Sequence, residues 1–287
     1  IYIYAFIFCV LSTGCTPVLK LDILQPAQVS IPSGIKTIGI VNYSISKRSD
    51  KTINIVEGIL TGENTGDDKA ASNAALDELR LQLEESGRFI VKIAESPVKE
   101  TEGSLPWENI HEICTDDSLD ALIVLDFFDS DYDVLTTQNT RQEKSNNRVI
   151  DVPYFHAEAT LDVRSHWTMY NNNDTSEIDT KDLETETQYS NEGSTPDNAV
   201  NGLPSQRSAT IKVGRTAGST YGARIAPYWI TVEREYYNRG SASLKKAATF
   251  SKKGMWEKAV VLWKDELSNS NKKIAGRAAY NLAIASE

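Results

Sequence analysis

The sequence has no apolar run long enough to cross a bilayer, only three cysteines, two methionines and three histidines, and little positive charge over most of its length. Each shortage excludes something. A spanning helix needs about 20 apolar residues, whereas the run Ile1–Leu11 has 11. Zinc sites need His or Cys at short, regular spacing; His111, His156 and His166 have none, and His111-Glu112 lacks a second His four residues on. A net charge of −10 with a pI near 5.0 leaves no concentrated basic surface for a phosphate backbone, so nucleic acid is not an expected partner. What remains is a chain of 287 residues, 40% apolar and 24% charged, enough to bury a core in one medium domain plus a smaller unit.

Other chemistry is started and not completed. Asp129-x-Asp131-x-Asp133 opens like a calcium loop, but Val134 stands where the turn needs Gly and Thr140 where a closing Glu belongs. The run therefore reads as the wet end of a strand. Gly62 to Gly66 has no Gly-Lys-Ser/Thr ending and is followed by Asp67 and Asp68, which repel phosphate. Gly218-Ser219 sits in no Gly-x-Ser-x-Gly frame. No metal, cofactor or catalytic residue is expected, and the chain reads as a non-enzyme.

The start of the chain carries the clearest signal. Ile1–Leu11 has the length of the apolar region of a secretory signal, and the small residues Ser12, Thr13 and Gly14 before Cys15 form a cleavage zone. The missing initiator Met and basic start imply that a few residues precede Ile1. Leu11-Ser12-Thr13-Gly14-Cys15 resembles the lipobox of bacterial lipoproteins, in which the cysteine takes a diacylglyceryl group and becomes the new amino terminus. Leu11 lies one place further from the cysteine than usual, a looseness associated with Bacteroides-type bacteria. The resemblance implies lipid attachment at Cys15 and a bilayer as partner. Cys9 would leave with the signal and Cys15 would be acylated, so Cys114 alone remains and no intrachain disulfide can form. Cys114 lies in the helical stripe Trp107-x-x-Ile110-x-x-Ile113-Cys114, where a thiol fills space. Thr16 to Leu19 brings no acidic cluster, so an outer-membrane lipoprotein facing the periplasm is expected. Residues 1–14 are the signal segment. Residues 15–35, with Pro17, Pro26, Pro32 and Gly34, read as an extended tether reaching at most about 70 Å.

Residues 36–239 alternate strand-like and helix-like stretches, which predicts an α/β (α+β) domain: a mixed sheet in two or three layers with covering helices. Strands are expected at 36–42, 89–93 and 121–125. A helix follows Asp67 or Asp68, with Ala71, Ala74, Ala75, Leu79 and Leu83 on its apolar side, and ends at Gly87; a second begins at Pro106. The Thr-rich runs 155–170 and 178–189, separated by Asn171-Asn172-Asn173-Asp174, predict a hairpin whose second strand is an acidic edge. A helix over 205–226 carries Gly214, Gly218 and Gly222 on one stripe. Each costs a helix about 1 kcal/mol against Ala, so the stripe predicts close approach to the sheet. A last strand spans 228–237. This order resembles the domain shared by curli-secretion lipoproteins and the amino-terminal part of TolB. The chain also resembles an uncharacterised lipoprotein family of Bacteroides-type bacteria through Ile35 to Asn42, Glu57 to Glu63 and Ala226 to Trp229; that family implies no catalytic residues.

Residues 240–287 end the chain. Ala247 to Phe250 and Gly254 to Ala259 resemble half of a tetratricopeptide repeat, and Ala279 to Ala283 the start of the next, with an offset of 36 residues from Ala242 to Ala278 against the usual ~34. This incomplete array implies a protein-binding surface on which Phe250, Trp256, Trp263 and Tyr280 contact a partner protein. From Ser241 on there are nine Lys/Arg and four Asp/Glu, +5, leaving −15 for residues 1–240. The function expected is a membrane-anchored periplasmic binding or scaffold module. The alternative is a small-ligand receptor or enzyme with a cleft at the sheet edge near residues 58–68.

Overall fold

The computed structural model describes residues 17–44, 54–56, 59–61, 65–95, 104–145 and 148–287. In chain order the elements are β1 (Val18–Gln25), β2 (Thr37–Asn42), β3 (Asn54–Val56), β4 (Ile59–Thr61), α1 (Thr65–Glu85), β5 (Ile90–Ile93), α2 (Trp107–Asp116), β6 (Ala121–Ser145), β7 (Arg148–Asn171), β8 (Ser176–Gly193), α3 (Pro196–Asn201), α4 (Gln206–Ile225), β9 (Tyr228–Glu235), α5 (Ala242–Ser251), α6 (Trp256–Glu266) and α7 (Lys272–Ala285). They form two units, one of residues 26–228 and one that joins the chain's first strand to everything from Trp229 onward.

In the 26–228 unit, β2 lies between β5 and the first half of β6, parallel to both. β7 runs antiparallel to β6, and β8 to β7 as an edge strand. The central strands are apolar on both faces because both are covered, as parallel sheets require. Ile38, Ile40, Ile123, Leu125, Leu161 and Val163 pack under α1 and α4. Val41, Leu122, Val124 and Tyr170 pack against Ile110, Ile113 and Cys114 of α2. The result is the expected α+β mixed sheet, three layers deep at its centre.

A β-bulge between Leu125 and Phe127 makes the long β6 possible. Side chains alternate across a strand, so one inserted residue exchanges the faces of everything after it. Beyond the bulge, Phe128, Ser130, Tyr132 and Val134 are buried, and Asp129, Asp131 and Asp133 take the opposite face. Without Asp126 as the extra residue, the three aspartates would point at α4.

The glycine stripe of α4 meets α1, not the sheet as its sequence suggested. A Cβ on Gly214 would lie 2.5 Å from the Ala71 carbonyl oxygen, and one on Gly218 2.0 Å from that of Ala75. Two helices at this spacing bury Ala71, Ala75, Val213 and Ala217 completely or nearly so. Ser205 caps α4 by accepting from the Ser208 amide at 3.3 Å. At its far end Arg224 forks onto Asp179 at 2.9 and 2.7 Å, while its carbonyl accepts from Gln28 and Val29 amides.

The second unit corrects two expectations. Over its described part the 15–35 segment is not a free tether: Leu19, Leu21 and Ile23 alternate with Lys20 and Asp22, and such a pattern forms a strand when a partner is present. That partner is β9, expected to close the α/β domain but paired instead with β1. Asp22–Thr231 at 2.6 Å, Lys20–Glu233 at 3.7 Å and the Pro17 carbonyl–Tyr236 amide pair at 3.1 Å mark opposite strand senses. The remainder of the segment, in the 26–228 unit, is also fixed, with Ile31 and Ile35 in the core. Residues 1–14 and Cys15 lie outside the described residues.

Three helices complete this unit. Ser241 caps α5, accepting from Leu244 at 3.1 Å, and donates to Glu266 at the end of α6 at 2.6 Å. Gly254, at φ +70°, makes the turn between them. Leu244, Ala247, Ala259, Trp263 and Ala278 form the core. Asn281, fully buried, clamps the chain after β9: it accepts from the Tyr237 amide at 2.9 Å and donates to its carbonyl at 2.7 Å.

Candidate functional site

Of the four aromatic residues expected to meet a partner, Trp263 is corrected by its position. It is 0% exposed and forms the centre of the helical core, so it holds α6 against α5 and α7 and presents nothing to solvent. Trp256, 6.5 Å from it ring to ring, is half-buried in the same packing. Phe250 is half-buried, with Lys246 and Lys258 ammonium groups each 5.9 Å from its ring. Tyr280 is different. It is 45% exposed and meets Tyr237, itself 40% exposed, edge to face at 5.3 Å.

Arg277 completes this group. Its guanidinium lies 5.2 Å over the Tyr237 ring and donates to the Arg239 carbonyl at 2.6 Å. Helical spacing puts Arg277 and Tyr280 on one side of α7, three residues apart, and the Asn281 clamp fixes Tyr237 opposite them. Tyr and Arg held in one rotamer lose little entropy on contact and dominate protein interfaces for that reason. Sequence reasoning found Tyr280 and missed Tyr237 and Arg277. No periodicity marks Tyr237, which follows a strand; its role comes from the Asn281 contact, made 44 residues along the chain.

The outer face of β6, β7 and β8 carries a second polar group. Asp129 is buried beneath Arg164, which donates to it at 2.6 Å. His166 shares a hydrogen bond with Asp182 through Nδ1 at 2.7 Å, and its Nε2 lies 3.3 Å from the Thr180 hydroxyl and 3.4 Å from that of Thr168. Thr168 donates to Asp126 at 2.7 Å. Burial in the bulge pushes the Asp126 carboxyl up, opposed by the Thr168 hydrogen bond and the nearby His166. An aspartate, a histidine and a threonine in this order suggest an activated hydroxyl, but a hydroxyl that gives its proton to Asp126 is not delivering it to an imidazole. The arrangement is a hydrogen-bond network linking Asp182, His166, Thr168 and Asp126. Further along the face, desolvation and then the charges of Glu186, Asp131, Glu184 and Asp133 raise the Asp162 carboxyl.

Around the 58–68 loop, residues 57–58 and 62–64 lie outside the described residues. Asp67 and Asp68, at its end, are buried. Arg207 donates to Asp67 at 3.0 Å and Ser130 donates to Asp68. These carboxylates join α1 to α4 and to β6. Cys114 is 1% exposed, and burial followed by the charge of Asp117 pushes its thiol up to about 11. No helix among the described residues is long and apolar enough to cross a membrane, and no three of their His, Cys, Asp and Glu side chains cluster to hold a metal ion.

A mixed sheet under paired helices, with a separate ribbon and helical end, is thus the class of protein defined. The chain belongs to the family described as Domain of unknown function (DUF8603), whose model matches residues 35–237; residues 245–287 match a second, Domain of unknown function (DUF6340). No curated protein matches it. Among solved structures it is similar to a PelC dodecamer from Paraburkholderia phytofirmans, at 10% identity over 72% of this chain and 98% of that one, TM-score 0.30. It is also similar to a minor lipoprotein from Acinetobacter baumannii, at 8% identity over 68% and 98%, TM-score 0.27. A neuraminyllactose-binding hemagglutinin homolog from Helicobacter pylori gives 11% identity over 69% and 86%, TM-score 0.29.

Proposed function

We propose that this chain is a lipoprotein of the bacterial cell envelope, anchored through Cys15 at the outer membrane on its periplasmic side, that recruits a partner protein through its carboxyl-terminal helices and performs no catalysis. The observation that carries the recruiting role is the exposed Tyr237–Tyr280 pair with Arg277 over it. A solvent-facing aromatic pair braced by a guanidinium is dispensable to the helical core, which closes on Leu244, Trp263 and Ala278, and has the composition of an interface centre. The helices α5, α6 and α7, with Gly254 in the first turn, fit the tetratricopeptide-like reading, in which successive hairpins stack to form a binding surface. The non-enzymatic reading is supported by where the reactive groups are spent: Thr168 on Asp126, Asp182 on His166, Asp67 on Arg207.

Two measurements test it. Cys15→Ala moves the protein from the membrane to the soluble fraction; unchanged membrane retention refutes the anchor. Affinity capture with the lipidated protein, compared with Tyr280→Ala, loses at least one specific partner by roughly ten-fold or more, as expected for an aromatic hot spot of 2 kcal/mol or so. Identical capture by the two proteins, both folded by circular dichroism, refutes the tyrosine surface.

A further inference from the structure

The two units of the chain expose surfaces of opposite charge. On the helical unit, Arg277, Tyr280 and Tyr237 form the braced aromatic group described above. Lys272 and Lys273, at the start of α7, extend it along the same side of that helix, one turn before Arg277. Both lysines are exposed, and neither they nor Arg277 is in an ion pair among the described residues. The Asn281 clamp fixes the Tyr237 backbone, so the group is in place before a partner arrives.

On the 26–228 unit, the face of β6, β7 and β8 turned away from α1 and α4 is acidic beyond the bulge. The register sets Asp131, Asp162 and Glu186 directly opposite one another across the three strands, and Asp133 and Glu184 flank this row. Like charges in cross-strand register destabilise a sheet. Arg164 answers Asp129 and Asp131, whereas Asp133, Asp162, Glu184 and Glu186 are in no ion pair among the described residues. A cationic surface laid on the row relieves that repulsion. The dimensions agree: the row spans two strand spacings, about 9.6 Å, and Lys273 to Tyr280 spans about 10.5 Å of helix. Leu135, two residues beyond Asp133 on the same face and 46% exposed, offers an apolar contact beside the carboxylates.

We infer that the Lys272, Lys273 and Arg277 side of α7, with Tyr237 and Tyr280, docks on the Asp131–Asp162–Glu186 row of a second copy of this chain. This rests on the recruiting surface proposed above and names the partner it takes. Every molecule that carries the basic surface also carries its acidic complement. Opposite charges steer the copies together and set their register, while the tyrosines supply the contact at the centre.

The test uses the chain from residue 15 onward with Cys15→Ser, which removes no described residue and leaves neither the apolar start nor an acyl group to drive aggregation. Sedimentation velocity at rising protein concentration should show self-association in about 50 mM salt that is lost in about 500 mM. Lys272→Glu with Lys273→Glu, and separately Glu184→Lys with Glu186→Lys, should each weaken it by roughly ten-fold or more. An equimolar mixture of these two variants should restore association, because each reversed surface then meets its complement. Lys252→Glu with Lys253→Glu, an equal charge change at the turn between α5 and α6, should leave most of it. A chain that stays monomeric in low salt overturns the inference; so do folded variants that associate like the parent, a mixture that recovers nothing, or an equal loss with the Lys252 and Lys253 pair. A salt-dependent change in sedimentation that does not vary with protein concentration belongs to contact within one chain and overturns it as well. Affinity capture reads the recruiting role separately: a monomeric chain that still loses a different protein on Tyr280→Ala sinks this inference alone, whereas capture and self-association both indifferent to Tyr280→Ala sink the recruiting surface itself.

Discussion

Gly218→Ala should destabilise the protein although it replaces a poor helix former with the best one. In an isolated helix the exchange gains about 1 kcal/mol. Here the new Cβ would lie 2.0 Å from the Ala75 carbonyl oxygen, 2.8 Å from its carbon and 3.0 Å from its Cα. These are backbone atoms inside α1 and cannot swing away. Restoring even a 3.4 Å contact requires the helices to part by over 1 Å, which loosens Ala71, Leu79, Val213 and Tyr221 together. Overpacking of this kind costs up to about 3 kcal/mol, so the net loss is about 2 kcal/mol, or some 4–8 °C in Tm for a unit of this size. Urea and thermal unfolding followed by circular dichroism measure it. Gly276→Ala in α7 is the control: nothing lies within 4 Å of its Cβ position, so it should stabilise by about 0.4–1 kcal/mol. A Gly218→Ala protein as stable as the parent would refute close helix contact as the reason for the stripe.

Two further outcomes follow from single side chains. Asp120 accepts from the Thr37 and Lys36 amides, both at 2.9 Å, and these hydrogen bonds, Thr37 first, hold its carboxyl below the usual value of 3.8. A depressed folded value means that the stabilisation is complete above the ordinary value and is lost as pH falls through the folded one; unfolding of Asp120→Asn should therefore depend less on pH in the acid range, and an unchanged acid profile would refute it. Cys114, with its thiol at about 11, should resist alkylation at pH 8 in a chain whose other cysteines are replaced and react once urea unfolds it; rapid labelling of the native protein would contradict its burial.

Much of the layout was legible because local signals and tertiary packing agree. The continuous apolar runs at 37–42 and 121–125 predicted strands covered on both faces, and Ile38, Ile40, Leu122 and Ile123 are all fully buried. Gly87, at φ +66°, follows α1, where the sequence placed the end of the helix. Thr195-Pro196-Asp197, a capping residue followed by proline at the first helical position, was readable as α3 but passed over. What failed depended on distance along the chain. The alternation of Leu19, Leu21 and Ile23 has no meaning until a partner appears, and that partner, β9, lies about two hundred residues later. The bulge at Asp126 has no sequence signature, yet it decides which way Asp129, Asp131 and Asp133 face. The candidate surface was legible only in part for the same reason: Tyr280 stands in a recognisable helix, whereas Tyr237 depends on Asn281 and Arg277, which reach it across the fold.

The charge of the chain is sorted by unit. Residues 26–228 carry −15, while the unit built from 17–25 and 229–287 carries +5. That sorting was half visible in the sequence as a basic tail, but its meaning depends on β1, because pairing with β9 brings the start of the described chain into the basic unit. An anionic surface attracts that unit and repels the acidic one.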